Sequence, residues 1–462
     1  MKSKNRDQLT TVGFVALGCP KNIVDSERML AEIGRGGFAI GADPDNADVV
    51  VINTCGFIAP ARAEALQAIT HALAQKKKGR IGKVIVCGCL SQRMGTSLAE
   101  EAPGIDAVVG LGCRDSISDI IGDIIAPAAG RKAGCVFYLD EKEKAPPDDR
   151  TRLLITPAHW AYLRISEGCD RKCSFCTIPS IRGRFRSKDE DIVIGEAREL
   201  VEHGAVELSI IAQDSNYYLT DRGVKNGLSK LLDKLAAIDG LQWIRLMYLY
   251  PATIDDNLIE TIAQHDKVLN YIDMPIQHIN DDILRAMRRS DRKDKTMRLI
   301  EKLRSAMPDV VLRTTLIAGF PGETDDAFAE LLDFVRWARF DALGCFAFCP
   351  EAQTAAAELA DQVPDDIRHS RVETLMLTQQ EIAFAAARRR IGSRLRCLVD
   401  EVDGATAVGR FYGQAPHIDS ICHINHCKAR PGQFIWTKVI DTDDYDFVVT
   451  ADLEIEKSAQ DR

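Results

Sequence analysis

The residues best suited to carry out chemistry lie in segment 167–176, where three cysteines stand close together. Cys169, Cys173 and Cys176 form a C-x₃-C-x₂-C array, and the aromatic Phe175 directly precedes the last cysteine. Cysteine thiolates bind iron–sulfur clusters, and a cubane cluster has four irons to be ligated. Three thiolates leave one iron open, and an open iron can bind a small chelating molecule. The array therefore predicts a reactive cluster.

Zinc and disulfide chemistry explain the array less well. Structural zinc takes four ligands, usually as two separated pairs, and no second pair lies nearby. A disulfide would leave one of the three cysteines over. The polar first ten residues lack the apolar segment of a signal peptide, so we expect none. Fourteen cysteines without an export signal predict a reducing, cytoplasmic environment in which thiols serve metals.

The array resembles the signature of the radical S-adenosylmethionine superfamily. In that superfamily the amino and carboxylate groups of S-adenosylmethionine chelate the open iron. An electron passed from the cluster into the sulfonium then breaks a C–S bond and releases a 5′-deoxyadenosyl radical. The resemblance implies a [4Fe-4S] cluster and S-adenosylmethionine as cofactors.

The length of the chain indicates how many domains to expect, and its charge indicates which partners it suits. A chain of 462 residues is long for one core, which favours roughly two to four domains. The net charge of −9 argues against broad nucleic-acid affinity, which needs a basic face, and suits a basic protein partner. The sequence contains no apolar run of about 18 residues, so we expect no membrane span.

Residues 10–137 alternate short apolar runs with amphipathic helical runs. This alternation predicts an open parallel α/β sheet covered on both faces. The predicted strands are Thr11–Leu17, Asp48–Asn53 and Lys83–Cys87. The predicted helices are Ser26–Ile33, Pro60–Gln75 and Ile117–Ile125.

A cysteine follows each of these three strands. Cys19, Cys55 and Cys89 should meet at one edge of the sheet, because ligand groups gather at the carboxyl ends of parallel strands. A single cysteine there would be an ordinary small buried residue. Three at consecutive strand ends favour a second cluster site. Cys87 is ambiguous, and we interpret Cys113 and Cys135 as structural.

Residues 158–390 repeat a strand-then-helix pattern about six times, after a charged, proline-rich stretch at 138–157 that we interpret as a solvated linker. The repeat predicts a partial (β/α)₆ barrel, with its chemistry at the carboxyl ends of the strands. The predicted strands are Ala161–Ile165, Val206–Ala212, Trp243–Tyr248, Tyr271–Ile276, Val310–Ala318 and Leu343–Phe348.

Several polar and glycine residues follow these strands and are candidate cofactor contacts. They are Gln213, Asp214, Gly319, Gly322, Glu323 and, in the loop after the cysteine array, Arg182. Glycine turns let the backbone approach a nucleoside closely, although such turns are also common between secondary-structure elements with no ligand nearby. Gln213 and Asp214 could equally cap the next segment, and Arg182 could belong to a solvated basic loop. His278 is expected to be a satisfied structural histidine.

Residues 391–455 contain five short strand patterns separated by turns at Asp403-Gly404 and Pro431-Gly432. Five short strands in so few residues predict a small OB-like barrel. Such barrels often bind RNA, but the chain from residue 391 to residue 462 has eight basic residues against twelve acidic ones. Direct RNA contact is therefore not indicated by charge, and docking of a basic protein fits better.

Together these parts resemble the methylthiotransferase family, which combines a three-cysteine domain, a radical barrel and a C-terminal TRAM domain. The resemblance runs from Val12 to about Asp452. The stretches that carry it are 17–22 (LGCPKN), 53–58 (NTCGFI) and 162–171 (YLRISEGCDR). They resemble the branch that modifies a ribosomal protein rather than the branch that modifies tRNA. Gln414, Cys349, Ala352 and Gln353 depart from the expected pattern, and none is a cluster ligand.

The resemblance implies that Cys169, Cys173 and Cys176 bind the radical cluster and that Cys19, Cys55 and Cys89 bind an auxiliary [4Fe-4S] cluster. It implies transfer of a methylthio group to an aspartate of a small-subunit ribosomal protein, with a reductant such as flavodoxin or ferredoxin. Two alternatives stay open. One is methylthiolation of tRNA, and the other is a non-catalytic, cluster-containing RNA-binding or ribosome-assembly factor.

Overall fold

The structure, a computed structural model, describes residues 9–127, 134–140 and 145–452. These residues divide into two compact units. The first holds the described residues up to Ile155, together with Glu167–Arg171 and Cys176–Lys188. The second holds Thr156–Ser166, Lys172–Phe175 and the described residues from Asp189 onwards. The division runs through the predicted cysteine array.

The first unit is built on six parallel strands in the order β2-β1-β3-β4-β5-β6. The strands are β1 Thr11–Ala16, β2 Ala39–Ala42, β3 Val49–Thr54, β4 Lys83–Gly88, β5 Ala107–Val109 and β6 Val136–Tyr138. The helices are α1 Pro20–Arg35, α2 Ala59–Lys77, α3 Cys89–Met94, α4 Ser97–Glu101, α5 Ile117–Ile125, the 3₁₀ turn Leu111–Ser116, and α6 Ile178–Arg182. The predicted open parallel sheet is confirmed.

Both faces of this sheet are buried. Val50 and Ile52 of β3 pack in one apolar cluster with Ile69 of α2, whereas Val49 and Val51 pack in another with helices α1 and α5. Alternate side chains of a strand point to opposite faces, so a central strand covered twice must be apolar throughout.

The second unit contains six parallel strands that follow one another in chain order, β7-β10-β11-β12-β13-β14. The strands are β7 Trp160–Arg164, β10 Glu207–Ile211, β11 Trp243–Leu246, β12 Val268–Asp273, β13 Val311–Ala318 and β14 Ala342–Ala347; the two-residue strands β8 Ser166–Glu167 and β9 Arg186–Ser187 flank the cysteine loop in sequence. The helices are α7 Glu190–Glu202, α8 Gly227–Ala236, α9 Asp256–Gln264, α10 Asp281–Ala286, α11 Lys293–Ala306, α12 Asp325–Ala338 and α13 Asp365–Arg389, with 3₁₀ turns at Ser215–Tyr217, Thr220–Arg222, Pro251–Thr253 and Ala355–Glu358. The partial (β/α)₆ barrel is confirmed.

The chain ends in a closed five-stranded barrel of order β15-β16-β17-β19-β18. The strands are β15 Arg394–Asp403, β16 Thr406–Phe411, β17 Cys422–Asn425, β18 Phe434–Asp443 and β19 Asp446–Ala451. The prediction of a small all-β barrel is confirmed, although residues 453–455 of its predicted span lie outside the described residues. Gln414 is buried inside it and accepts hydrogen bonds from Phe411 N (3.0 Å) and Cys422 Sγ (3.2 Å).

The predicted solvated linker at 138–157 is partly wrong. Tyr138 ends strand β6, and Asp149 is buried with its carboxylate 2.7 Å from Lys188 Nζ. The Arg152 side chain is 2% exposed and pairs with Glu27 at 2.9 Å. The fold tolerates these buried charges because each has an opposite charge beside it. The charged residues 141–144 of the predicted linker lie outside the described residues.

No described helix is long and apolar enough to cross a lipid bilayer.

Candidate functional site

The first unit brings Cys19, Cys55 and Cys89 to the carboxyl edge of its sheet. Cys19 is the N-cap of α1 just beyond β1, Cys55 follows β3, and Cys89 begins α3 after β4. These strands are neighbours in the sheet. Cys19 is exposed, Cys55 is half-buried and Cys89 is buried. The three thiols thus lie at one edge of the sheet, and their burial increases from Cys19 to Cys89. We call them the N-terminal triad.

Two glycines make this close approach sterically feasible. Gly18 has φ +97°, and a Cβ there would lie 2.9 Å from Cys55 Cβ and 3.5 Å from its Sγ. Gly88 has φ +98°, and its Cβ would meet Asn53 Oδ1 at 2.4 Å. Any larger residue would combine a strained backbone with a collision.

Burial favours the protonated form of the Cys55 and Cys89 thiols in the metal-free protein. It is the main reason that the pKa of Cys89 rises to about 12; the Arg182 guanidinium opposes the rise, and charge on Cys19 and Cys55 adds to it. Burial likewise raises the pKa of Cys55. Charge on one thiol therefore raises the pKa of another, and binding of a metal group would release the protons of these thiols.

Arg182 is the charged centre of this edge. Its side chain is 1% exposed, and it donates hydrogen bonds to Asn22 Oδ1 (2.6 Å), Glu167 Oε1 (3.0 Å) and Asp25 Oδ2 (3.1 Å). Burial opposes the charge of Arg182, but Cys89, Glu167, Asp25 and Cys19 together outweigh it and raise its pKa.

Each of the two carboxylates in this network pairs with more than one cation. Glu167 also pairs with Lys21 at 3.3 Å, and Asp25 also pairs with Arg114. Together with Arg182, three cations contact two carboxylates. Positive charge of this kind beside three thiols suits an anionic, thiolate-bound group.

The flanks of the second cysteine array also belong to the first unit. The amide of Cys169 donates to Gly183 O (3.2 Å), and Arg171 N donates to Cys169 Sγ (3.4 Å). Ile178 N donates to Cys176 Sγ (3.5 Å). Amide hydrogen bonds to sulfur stabilise thiolates and tune cluster potentials.

Cys173 lies on the segment Lys172–Phe175, which belongs to the second unit. Its neighbour Ser174 donates from N to Met287 O (3.0 Å) and from Oγ to Ala286 O (2.8 Å). The middle of the array is therefore fixed by barrel residues.

In the part of the chain that the structure describes, no three His, Cys, Asp or Glu side chains converge closely enough to hold a single metal ion. The tight shell of a structural zinc ion needs such convergence. Thiolates on a cubane each bind a different iron and stand further apart.

The remaining predicted cofactor residues, apart from Arg182, lie after strands of the second unit. Gln213 and Asp214 follow β10, and Asp214 is buried. Gly319 and Gly322 follow β13 with φ +72° and +81°. The structure places both pairs at the carboxyl edge of the barrel sheet.

Glu323 and His278 stabilise the glycine turn internally. Glu323 Oε1 accepts from Gly319 N (2.9 Å) and Arg371 Nη1 (2.8 Å), and Oε2 contacts His278 Nε2 at 3.1 Å. His278 Nδ1 accepts from Asn280 N at 3.0 Å. His278 is a satisfied structural histidine, as predicted. Both carboxylate oxygens of Glu323 are engaged, which favours a supporting role for this residue.

The sequence interpretation missed Asn22, Asp25 and Glu167 as members of the site. Asn22 and Glu167 do lie in the stretches 17–22 and 162–171 that carry the family resemblance, three residues after Cys19 and two before Cys169. The ambiguous Cys87 is fully buried in the apolar cluster on one face of the sheet and is a core residue.

Comparisons with known proteins agree with this architecture. Residues 11–110 match "Uncharacterized protein family UPF0004", residues 163–335 match "Radical SAM superfamily" and residues 391–451 match "TRAM domain". Among solved structures, the radical S-adenosylmethionine methyltransferase TsrM from Kitasatospora setae is similar in fold. Its TM-score is 0.55 at 14% identity, covering 86% of this chain and 79% of that one.

Curated relatives are similar over almost the whole chain. The ribosomal protein uS12 methylthiotransferase RimO of Geobacter sulfurreducens is 41% identical over 440 residues, which is 95% of this chain and 97% of that protein. The protein of the same name from Anaeromyxobacter sp. (strain Fw109-5) is 40% identical over 442 residues, or 95% and 92%. This chain therefore belongs to the ribosomal protein uS12 methylthiotransferase (RimO) family of radical S-adenosylmethionine enzymes.

Proposed function

We propose that this protein adds a methylthio group to the β-carbon of an aspartate in ribosomal protein uS12. The observation that carries the proposal is the N-terminal triad, a set of thiols distinct from the Cys169–Cys176 array and set beside a buried guanidinium. An enzyme that only made a radical would need one array. A second sulfur-rich site suits an enzyme that also inserts sulfur.

We assign one [4Fe-4S] cluster to Cys169, Cys173 and Cys176 and a second to the N-terminal triad. The residues fit these groups. Backbone amides donate to the sulfurs of Cys169 and Cys176, as is common around cluster thiolates. At the triad, Gly18 leaves space that a Cβ would fill, and the Arg182 guanidinium would offset negative thiolates.

When bound, the clusters and S-adenosylmethionine would supply a radical that can abstract a hydrogen atom and a sulfur that can be transferred. A β-carbon C–H beside a carboxylate is too weakly acidic for a side-chain base tuned near neutral pH, so proton abstraction is a poor route. The protein's part is to bind, orient and exclude water. Gln213, Asp214 and the backbone at Gly319 and Gly322 would bind S-adenosylmethionine, and Glu323 would hold the glycine turn.

The location and partners follow from the same chemistry. None of the fourteen cysteines, all of which lie in the described residues, forms a disulfide, which suits the reducing cytoplasm. An electron donor of the flavodoxin or ferredoxin type would supply electrons, and the acidic C-terminal barrel would dock the basic ribosomal protein. We keep 10–137, 158–390 and 391–455 as the three proposed domains, joined between the first two by 138–157.

The test is a reaction of the anaerobically reconstituted protein with S-adenosylmethionine, a reductant and either free uS12 or small ribosomal subunits. We expect 5′-deoxyadenosine to form and one aspartate of uS12 to gain a methylthio group, located by tandem mass spectrometry. Undermodified tRNA is the parallel substrate. Methylthiolated adenosine in tRNA with unmodified uS12 would overturn the proposed substrate. Cys173→Ala is the control and should form neither product.

A further inference from the structure

The side chain of Asn22 contacts all three strand ends that carry the N-terminal triad. Its Nδ2 donates to Leu17 O at 3.0 Å, at the end that leads to the first cysteine. The same Nδ2 donates to Thr54 O at 2.9 Å, directly before the second. Its Oδ1 accepts from the Sγ of Cys89 at 3.6 Å. Asn22 is 1% exposed, so these bonds are not shared with bulk water.

Arg182 fixes the orientation of that amide. Its guanidinium donates to Asn22 Oδ1 at 2.6 Å, while two carbonyl oxygens accept from the other end of the amide. A guanidinium only donates and a carbonyl only accepts, so the nitrogen and oxygen of Asn22 cannot be exchanged. Asn22 can therefore hold the strand ends in one arrangement.

The same guanidinium joins the two cysteine-bearing parts of the first unit. Arg182 lies six residues after Cys176, and its partner Glu167 lies two residues before Cys169. Its other partners, Asn22 and Asp25, belong to helix α1. One side chain thus connects the flanks of the Cys169–Cys176 array with the triad edge.

We propose that Asn22 and Arg182 are positioning residues for the N-terminal triad. Asn22 fixes the spacing of the three strand ends, and Arg182 offsets the negative charge of a thiolate-bound cluster and ties it to the Cys169 and Cys176 segments. This inference rests on the proposed role of the triad as a cluster site.

The two residues have distinguishable effects. A positive charge close to a cluster favours its reduced, more negative state, so removing the charge of Arg182 lowers the reduction potential. Asn22 carries no charge. Its loss releases the strand ends and lowers iron occupancy.

The experiment uses the full chain carrying Cys169→Ala, Cys173→Ala and Cys176→Ala, in which the triad is the proposed iron site. This parent should bind about four irons per chain after anaerobic reconstitution. Into it are placed Asn22→Ala, Arg182→Gln and Arg182→Lys. The matched control is Arg184→Met, because the Arg184 side chain is 81% exposed and lies 3.7 Å from Asp170. Iron per chain and the reduction potential, followed by electron paramagnetic resonance, are the readouts.

We expect Asn22→Ala to lose at least half of the iron. Arg182→Gln should lower the potential, Arg182→Lys should restore most of it, and Arg184→Met should match the parent. Parent-like iron in Asn22→Ala together with a parent-like potential in Arg182→Gln would overturn the inference. Thermal melting followed by circular dichroism checks that each variant folds. If Arg182→Gln does not fold, Arg182→Lys takes its place, and a reduction potential close to that of the parent supports the inference. A parent without iron would contradict the cluster site itself.

Discussion

Two buried networks of charged side chains, one beside the N-terminal triad and one at the base of the barrel, differ in the groups that they contain. At the base, Glu207 accepts from Arg245 Nε (2.8 Å) and Arg410 Nη1 (2.7 Å), and Asp400 accepts from Arg410 Nε (2.7 Å). Two arginines there face two carboxylates. Beside the triad, three cations face two carboxylates and three thiols.

We infer that the base network is structural, whereas the network beside the triad serves the proposed cluster. The base network joins β10 and β11 of the barrel to β15 and β16 of the C-terminal barrel, and both of its carboxylates pair with an arginine, while Asp400 also contacts His159. A closed network of this kind holds elements in place. The network at the triad lies beside thiols that we propose to bind a cluster, and Arg182 would offset the negative charge of that group.

The largest effect on stability is expected from Arg410→Met. The substitution removes one of the partners of Glu207 and of Asp400 in a buried network, which costs about 3–5 kcal/mol. The measurement is the free energy of unfolding by denaturant. Arg394→Met is the control, because its exposed pair with Asp452 contributes about 0–1 kcal/mol. Equal stabilities of the two variants would show that the base network does not hold the barrels together.

A smaller effect is expected from Gly88→Ala beside the triad. The left-handed backbone and the collision with Asn53 together cost about 1–3 kcal/mol and displace Cys89, which follows directly. We expect iron bound by the triad to fall. Gly41→Ala is the control, because Gly41 has φ +81° but nothing within 4 Å of the added Cβ. Equal iron in both variants would mean that the close approach at residue 88 does not shape the site.

The smallest effect is a pH dependence at the base network. Burial alone would raise the pKa of Asp400, but hydrogen bonds from His159 and Arg410 outweigh it and lower the pKa. A carboxylate with a lowered pKa stabilises the fold above its unfolded pKa and loses that contribution as the pH falls through its folded pKa. The melting temperature of Asp400→Asn should therefore lie below that of the wild type at about pH 6, with the gap closing below about pH 4. A gap that does not change with pH would contradict this account.

The sequence predicted the parts of the site that follow from local pattern. Strand–helix alternation placed Cys19, Cys55 and Cys89 at adjacent strand ends, because parallel strands share one carboxyl edge. The first helix was predicted from Ser26, whereas α1 begins at Pro20, which stands at the first helical position where proline is favoured. Strands β2, β5 and β6 were missed because three or four residues are too few to show a period.

The network around Arg182 could not be predicted in the same way. Its bond to Asn22 joins residues 160 apart in sequence, and no local periodicity encodes such a contact. The residues of the base network are equally remote, since Glu207 and Arg410 are 203 apart. Charge counts along the chain gave only the net acidic charge. They could not show which charged side chains are buried together.

We propose that the Cys169–Cys176 array forms the radical and that the N-terminal triad serves sulfur insertion. The variant Cys55→Ala tests this division most directly. Iron, 5′-deoxyadenosine and methylthiolated uS12 are measured in one anaerobic reaction, beside wild type and Cys173→Ala. We predict that Cys55→Ala binds about half of the wild-type iron, still forms 5′-deoxyadenosine and transfers no methylthio group. Full methylthio transfer by Cys55→Ala would contradict the account.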